Sequence, residues 1–275
     1  MTLVPGYSTS FHARKLSLPG VMLCAVASVN ILATVAALRR AMAVANFGDC
    51  VLFTDLADEI AAPGIRVVKI ERITSSAAYS QFVLRNLVDH LTLQHCMLVQ
   101  WDGYPTHPQL WEDAFLECDY IGAPWPQFND GHDVGNGGFS LRSRKLMEAC
   151  REPGMTIGHP EDVMIGRVNR SALEKRGMRF ADTSLAARFS CERSGNLNMT
   201  FGFHGVFHMV EVLGVRQFLK LYESLDERTS VWRDLTNIIR ELRAAGASWT
   251  IGPRMWCDRI RAHCRGKKPI TQRRD

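Results

Sequence analysis

A chain of 275 residues that is 46% hydrophobic and 22% charged has the balance of a globular protein with a sizeable core, which excludes a disordered, fibrous or collagen-like polymer. Eight cysteines without a CxxC pair exclude a small disulfide scaffold, and Cys24, Cys50 and Cys96 lie in apolar runs where a free thiol behaves as a small hydrophobe, the usage of a reducing cytoplasm. The net charge of +5 belongs to one end: residues 254–275 hold eight Lys/Arg against two Asp/Glu, the first 253 residues carry −1, and no basic face interleaved with aromatics speaks for nucleic-acid binding.

Leu16 to Leu38 is free of charge for 23 residues and has the length of a membrane span. Its interior is wrong for one. Pro19-Gly20 interrupts the start, Ser28 and Asn30 fall in the middle, and basic residues on both sides give no orientation. The stretch reads instead as a strand, Val21 to Ala27, then a helix behind an Asn30 N-cap with Ile31, Leu32, Val35, Leu38 and Met42 at helical spacing. Cys50 to Thr54 gives a second strand ending at Asp55, and Ile65 to Ile70 a third. Ser75 or Ser76 caps a helix with Tyr79, Phe82, Val83, Leu87 and Leu91 on its apolar face. Cys96 to Gln100 is the next strand and runs straight into Trp101-Asp102-Gly103. Strands alternating with helices in this way predict right-handed βαβ units and a mostly parallel sheet.

Beyond Asp102 the elements shorten. A helix is expected over Gln109–Glu117, a strand over Asp119–Gly122, a Gly/Asn/Asp-rich loop over 129–138 and a strand over Phe139–Arg142. Ser143 caps a helix to Cys150; Pro160 at N1, with Glu161 and Asp162 in the first turn, begins one that reaches Lys175. Met178–Ala181 reads as a strand and Phe201–Gly205 as a strand-to-loop junction. From residue 215 the chain reads as helical, with Trp232, Leu235, Ile239 and Leu242 on one stripe and Trp256 with Ile260 on a second. Cys257, His263 and Cys264 match no standard zinc spacing. The expected organisation is an N-terminal segment 1–19, one α/β domain over 20–212, and a helical C-terminal extension over 213–275 with a basic tail.

Four stretches place acids, glycines, aromatics or a histidine where apolar strands or loops end: Gln100–Gly103, Gly135–Ser140, Glu161–Val163 and Phe201–Gly205. In open α/β sheets, ligands bind outside the carboxyl ends of the strands. Each stretch also has an ordinary reading. Asp102 can cap a turn, Glu161 and Asp162 suit a helix's first turn, and His204 can pack among Phe201, Phe203 and Phe207; Gly137-Gly138 can serve a tight turn, and Trp101, Trp125 and Tyr104 can simply fill space. In this order and spacing, however, VQWDGY, DYIGAPW, VGNGGFSLRS, EDV and FGFHG resemble the nucleotide-sugar glycosyltransferases of the GT-A fold. More narrowly, they resemble bacterial glycosyltransferase-like proteins catalogued only as a domain of unknown function.

The resemblance implies a Rossmann-like, mostly parallel sheet with helices on both faces. It also implies transfer of a sugar from a nucleoside diphosphate, UDP first among them, to a hydroxyl of a saccharide or glycolipid, with inversion. Asp102 takes the place of the last acid of an Asp-x-Asp pair and, with His204, would hold a Mn or Mg ion against the diphosphate. Gln100 stands where the first acid is expected, which leaves metal dependence open. Asp162 corresponds to the general base, with Glu161 as an acceptor or supporting contact. Trp125, Asn136, Gly137 and Gly138 fall to the acceptor and sugar. Fold position assigns Ala27, Ser28, Asn30 and Asp55 to the base and ribose, and Tyr79 and Arg85 to the phosphates, with Gln100 and Trp101 beside them. A retaining transferase, or a non-catalytic nucleotide or sugar binder, would share these residues. The expected location is the cytoplasm, with the tail (Arg261, Arg265, Lys267, Lys268, Arg273, Arg274) offering peripheral contact to the inner face of a membrane.

Overall fold

The computed structural model describes residues 15–264. β1 (Leu16–Val26) starts five residues earlier than the sequence suggests, because Pro19-Gly20 does not end it: the register against its neighbour shifts between Leu18 and Met22, and the strand resumes. An irregularity of this kind is where a strand tolerates a proline. α1 (Ile31–Val44) returns the chain to β2 (Ala45–Thr54), which pairs parallel to β1, and β3 (Arg66–Lys69) pairs parallel to β2. Ser75 caps α2 (Ser76–Gln81) by accepting from the Ala78 N–H, and the helix continues as a π turn over Phe82–Asn86 and a 3₁₀ turn over Leu87–His90 before β4 (His95–Val99).

Short elements follow: β5 (Gly103–Pro105), β6 (Tyr120–Ile121), β7 (Ala123–Pro124), β8 (Val134–Gly135) and β9 (Phe139–Ser143). The main sheet has the order β3-β2-β1-β4-β9-β6, with β9 antiparallel to both its neighbours and β1 to β4 all parallel. The expected helix over Gln109–Glu117 is two 3₁₀ turns, Pro108–Leu110 and Asp113–Glu117. Ser143 caps α3 (Arg144–Ala149) as expected. The single helix expected from Pro160 to Lys175 is split into α4 (Glu161–Val163), a π turn (Met164–Val168) and α5 (Arg170–Lys175). The expected strand at Met178–Ala181 shrinks to a lone bridge between Phe180 and Tyr120. An unexpected helix, α6 (Thr183–Phe189), is capped by Asp182. β10 (Ser190–Cys191) and β11 (Gly202–His204) join β5 in a second small sheet.

Side-chain alternation on the buried central strands divides the core. Leu23, Ala25, Met97 and Val99 face α1, whereas Met22, Cys24, Cys96 and Leu98 face Val83, Leu87 and Met147 on the other side. The first of these layers also takes in the chain's end, α7 (Met209–Leu213), α8 (Val215–Ser224), α9 (Thr229–Arg233), α10 (Leu235–Ala244) and α11 (Ile251–Cys264), through Phe218, Leu221, Leu235, Ile238 and Met255. Leu235, Ile239 and Leu242 are buried as their stripe predicts; Trp256 and Ile260 face solvent, because Gly252 and Met255 form the inward side of α11.

Asn30 departs from its expected role. It occupies the N-cap position in the left-handed region (φ 54°) but makes no side-chain cap; its amide instead exchanges two hydrogen bonds with the backbone of Glu227, and its own N–H donates to Asp226. Nearly 200 residues apart in sequence, the end of β1 and the start of α9 are thus tied together. No helix among the described residues is long and apolar enough to cross a membrane. Arg265, Lys267, Lys268, Arg273 and Arg274 of the basic tail lie outside the described residues.

Candidate active site at the carboxyl ends of β1 and β4

After β1 the chain moves outward to β2 on one side, and β4 lies on the other, so the sheet's direction of winding reverses between β1 and β4. Such a reversal leaves a crevice at the carboxyl ends of the two strands. Here it is a cleft of about 790 Å³, a size suited to a small ligand. Val26–Asn30 and Gln100–Asp102 form its floor, Gly137-Gly138 and Glu161-Asp162 one wall, His204 with Glu192 another, and Thr229 to Asp234 the far side.

The Glu161 wall is built on a buried ion pair, with Arg142 Nη1 and Asn136 Nδ2 left without hydrogen-bond partners. Arg142 on β9 is fully buried and donates to Glu161 Oε1 at 3.0 Å, while its Nε donates to Ser140. A Cβ placed on Gly137 would lie 1.9 Å from that same Glu161 oxygen. Gly137 therefore makes room for the buried ion pair, where the sequence suggested a surface for a sugar. Asn136, left-handed at φ 70°, turns its side-chain oxygen back to the Gly138 N–H. Asp162, next along, projects into the cleft: Oδ2 accepts from the Gly137 N–H at 3.2 Å and Oδ1 from the Val163 N–H at 2.9 Å. Burial, and then the neighbouring Glu161 charge, push its carboxyl up to about 6, against the pull of the Val163 N–H and Arg142. A carboxylate in that range is suited to taking a proton near neutral pH.

The adjoining wall is looser. His204 Nε2 stands 3.7 Å from Asp102 Oδ1, and Nδ1 stands 3.4 Å from Glu192 Oε1. Asp102 is 6% exposed, and its Oδ1 is buried without a hydrogen-bond partner. Burial raises its carboxyl above the ordinary range although His204 pulls the other way. His204 itself is raised: burial lowers it, but Glu192 and Asp102 outweigh that. A Cβ on Gly138 would fall 2.0 Å from Nε2, so the second glycine is there for the imidazole ring. His204 is thus packed and poised at once, its ring against Gly138 and its nitrogens between two acids.

Ala27, Ser28, Tyr79, Gln100, Trp101, Trp125 and Asn136 all reach the cleft. Gln100 donates to the Tyr79 hydroxyl at 3.2 Å, and Ser28 accepts from the Ile73 N–H. Trp125 is 4% exposed and packs against Phe128, so at most an edge faces a ligand; Tyr104, 1% exposed, packs on Phe203 inside the small sheet. Two assignments fall away from the cleft. Asp55 lies near Arg72, and Arg85 donates to the Arg151 carbonyl. Asn30 lines the cleft, but its amide is spent on Glu227. Sequence reasoning missed Glu192, Arg193, Thr229 and Arg233, which carry no motif and sit on a loop and a short helix whose place is set only by packing. Arg193 is held bidentately by Asp234 at 2.8 and 3.0 Å. Among the described residues no group of three or more His, Cys, Asp or Glu could hold a metal ion.

A search of curated proteins finds no match. Many solved structures match, and two of them are similar in part. One is a glycosyltransferase involved in the glycosylation of the major capsid of PBCV-1, at 8% identity and a TM-score of 0.43 over 74% of this chain and 98% of that one. The other is A197 from STIV, at 17% identity and a TM-score of 0.32 over 53% of this chain and 75% of that one. The profile of a family described as protein of unknown function (DUF5672) matches residues 64–204, just over half of the sequence, from the turn before β3 to His204 at the end of β11. The chain belongs to that family.

Proposed function

We propose that this protein is a glycosyltransferase of the GT-A type that moves a sugar from a nucleoside diphosphate to a hydroxyl acceptor with inversion. The observation that carries the reading is the convergence of Asp102, His204 and Asp162 in one cleft at the switch point of the sheet, from three stretches that lie far apart in sequence. A base for an acceptor hydroxyl must be ionised at working pH yet basic enough to take the proton, and a carboxyl pushed up to about 6 meets both needs. Glu161 does not meet the acceptor in this reading; its pairing with Arg142 fixes the backbone that presents Asp162.

The donor's diphosphate leaves only if its developing charge is met. Asp102 Oδ1, buried and unpartnered, with His204 Nε2 beside it, fits a divalent Mn or Mg ion held by two protein groups. Such an ion would supply charge neutralisation at the diphosphate when bound. Arg233 stands at the same cleft, and Arg193 stands there in its pair with Asp234. Uridine diphosphate sugars come first among donors to test, and saccharides or glycolipids among acceptors.

One observation favours a second reading. Gln100 occupies the place of an acid and is turned to Tyr79, so the cation site has two protein groups where a transferase of this type has more. A non-catalytic binder of nucleotides or sugars would look the same. Thermal shifts with UDP, GDP, CMP and dTDP, each with Mn and with EDTA, followed by donor hydrolysis for any nucleotide that binds, separate the two. Turnover lost in Asp162→Asn with nucleotide binding intact is the result expected of the transferase; binding without turnover of any nucleotide sugar would leave the binder.

A further inference from the structure

The sequence places Trp256 and Ile260 on an apolar stripe, but neither meets the core. Trp256 is 41% exposed and Ile260 58%, and Trp249, just ahead of α11, is 74% exposed. At 100° per residue, Gly252 and Met255 define the side of α11 that faces α10, where Gly252 lies against Ile239. Next to that side, about 40–100° round the helix from Gly252, Pro253, Trp256 and Ile260 make a solvent-facing apolar arc. Arg254 and Arg261, 63% and 72% exposed, lie further round the helix and pair with Glu223 and Asp258. The guanidinium of Arg259 lies over the Trp256 ring and that of Arg243 over Trp249. Two tryptophans and an isoleucine left in water within one short stretch are unusual for a surface without a partner.

We propose that this face of α11 docks on an anionic lipid surface. Three properties select that occupant. Tryptophan and isoleucine seat in the headgroup and acyl boundary while Arg243 and Arg259, which lie over the two tryptophan rings, stay with the headgroups, which is the pattern of an interfacial segment. The sequence that follows adds Arg265, Lys267, Lys268, Arg273 and Arg274 against one acid, so positive charge continues beyond the arc. No described helix can cross a bilayer, so the contact is peripheral. None of the arc's residues lines the cleft, so the surface stands apart from the glycosyl-transfer reading.

Flotation of the full chain with large unilamellar vesicles tests it. With phosphatidylcholine containing about 30% phosphatidylglycerol the protein floats, with phosphatidylcholine alone it stays behind, and salt weakens the association. The variant Trp256→Glu/Ile260→Glu, both positions on the solvent side, lowers partition about tenfold or more at an unchanged thermal midpoint. A tail variant, Arg265→Glu/Lys267→Glu/Lys268→Glu, lowers it severalfold with the apolar arc intact. The proposal is overturned by absence of flotation with anionic vesicles, or by flotation that the Trp256/Ile260 variant leaves unchanged. Displacement of the vesicles by single-stranded oligonucleotide, with loss of oligonucleotide binding in that variant, would assign the face to nucleic acid. A concentration-dependent dimer lost in the same variant, without vesicle binding, would assign it to self-association.

Discussion

The two acidic walls of the cleft are built from similar residues and do opposite things. On one, Arg142 meets Glu161 at hydrogen-bond distance, 3.0 Å, with a glycine making room for the carboxylate, although Arg142 Nη1 has no partner. On the other, His204 stands 3.7 Å from Asp102 and 3.4 Å from Glu192, and Asp102 Oδ1 and His204 Nδ1 are buried without a hydrogen-bond partner. A closed buried pair gives rigidity; an open one leaves groups whose desolvation is offset only when something binds. In the transferase reading proposed above, the first wall holds Asp162 still and the second meets a ligand.

The largest expected effect is on the closed wall. Arg142→Met should cost about 3–5 kcal/mol in urea denaturation, because it strands Glu161 as a buried unpaired charge. A loss under about 1 kcal/mol would mean that this wall is not the rigid one. Next, Asp162→Asn should lower transfer by about 10²–10⁴-fold. Its effect on stability has the opposite sign. A carboxyl raised to about 6 leaves the folded state holding more protons than the unfolded one, so this group's share of stability falls as pH rises from about 4 through about 6. Removing the charge should therefore stabilise the fold above pH 6, by up to about 3 kcal/mol, and flatten that slope. Wild-type activity should rise with pH through the same midpoint of about 6.

Gly138→Ala sets a methyl against the His204 ring and should cost about 1–3 kcal/mol, together with any manganese-dependent thermal shift. If the shift survives, His204 is a packing residue and the open wall needs another explanation. Smallest is Asp102→Asn. Burial disfavours the ionised carboxyl here, so the variant should be at least as stable as the wild type in the absence of ligand, read by thermal unfolding, while nucleotide binding with manganese weakens. A destabilised variant would show that Asp102 is already satisfied and that the two walls are alike.

Much of this was legible in the sequence. Buried strands, caps at Ser75 and Ser143, and the acids at strand ends are local patterns, and local patterns survive folding when a hydrophobic period or a side-chain cap specifies them. Thus Asp102, Asp162 and His204 could be named from their motifs and the family these resemble, and all three line one cleft. The glycines after Asn136 were also noticed, but not what fills the space beside them: Glu161 and His204 arrive from 24 and 66 residues downstream, and no spacing announces them.

What the sequence by itself determined is the alternation that builds the parallel half of the sheet and the acids at its carboxyl edge, since a period of two on buried strands and a helix behind each are enforced by backbone geometry and burial. Only the tertiary structure decided which distant groups share the cleft. Asn30 became a clasp on Glu227 instead of a helix cap because α9 was there to receive its amide, and that clasp brings Thr229 and Arg233 to the ligand's side. Asp55 and Arg85 went elsewhere because the strand end and helix face that carry them turn away from the switch point. Contacts of that kind depend on the packing of whole elements, and packing is a property of the assembled core that no single segment encodes.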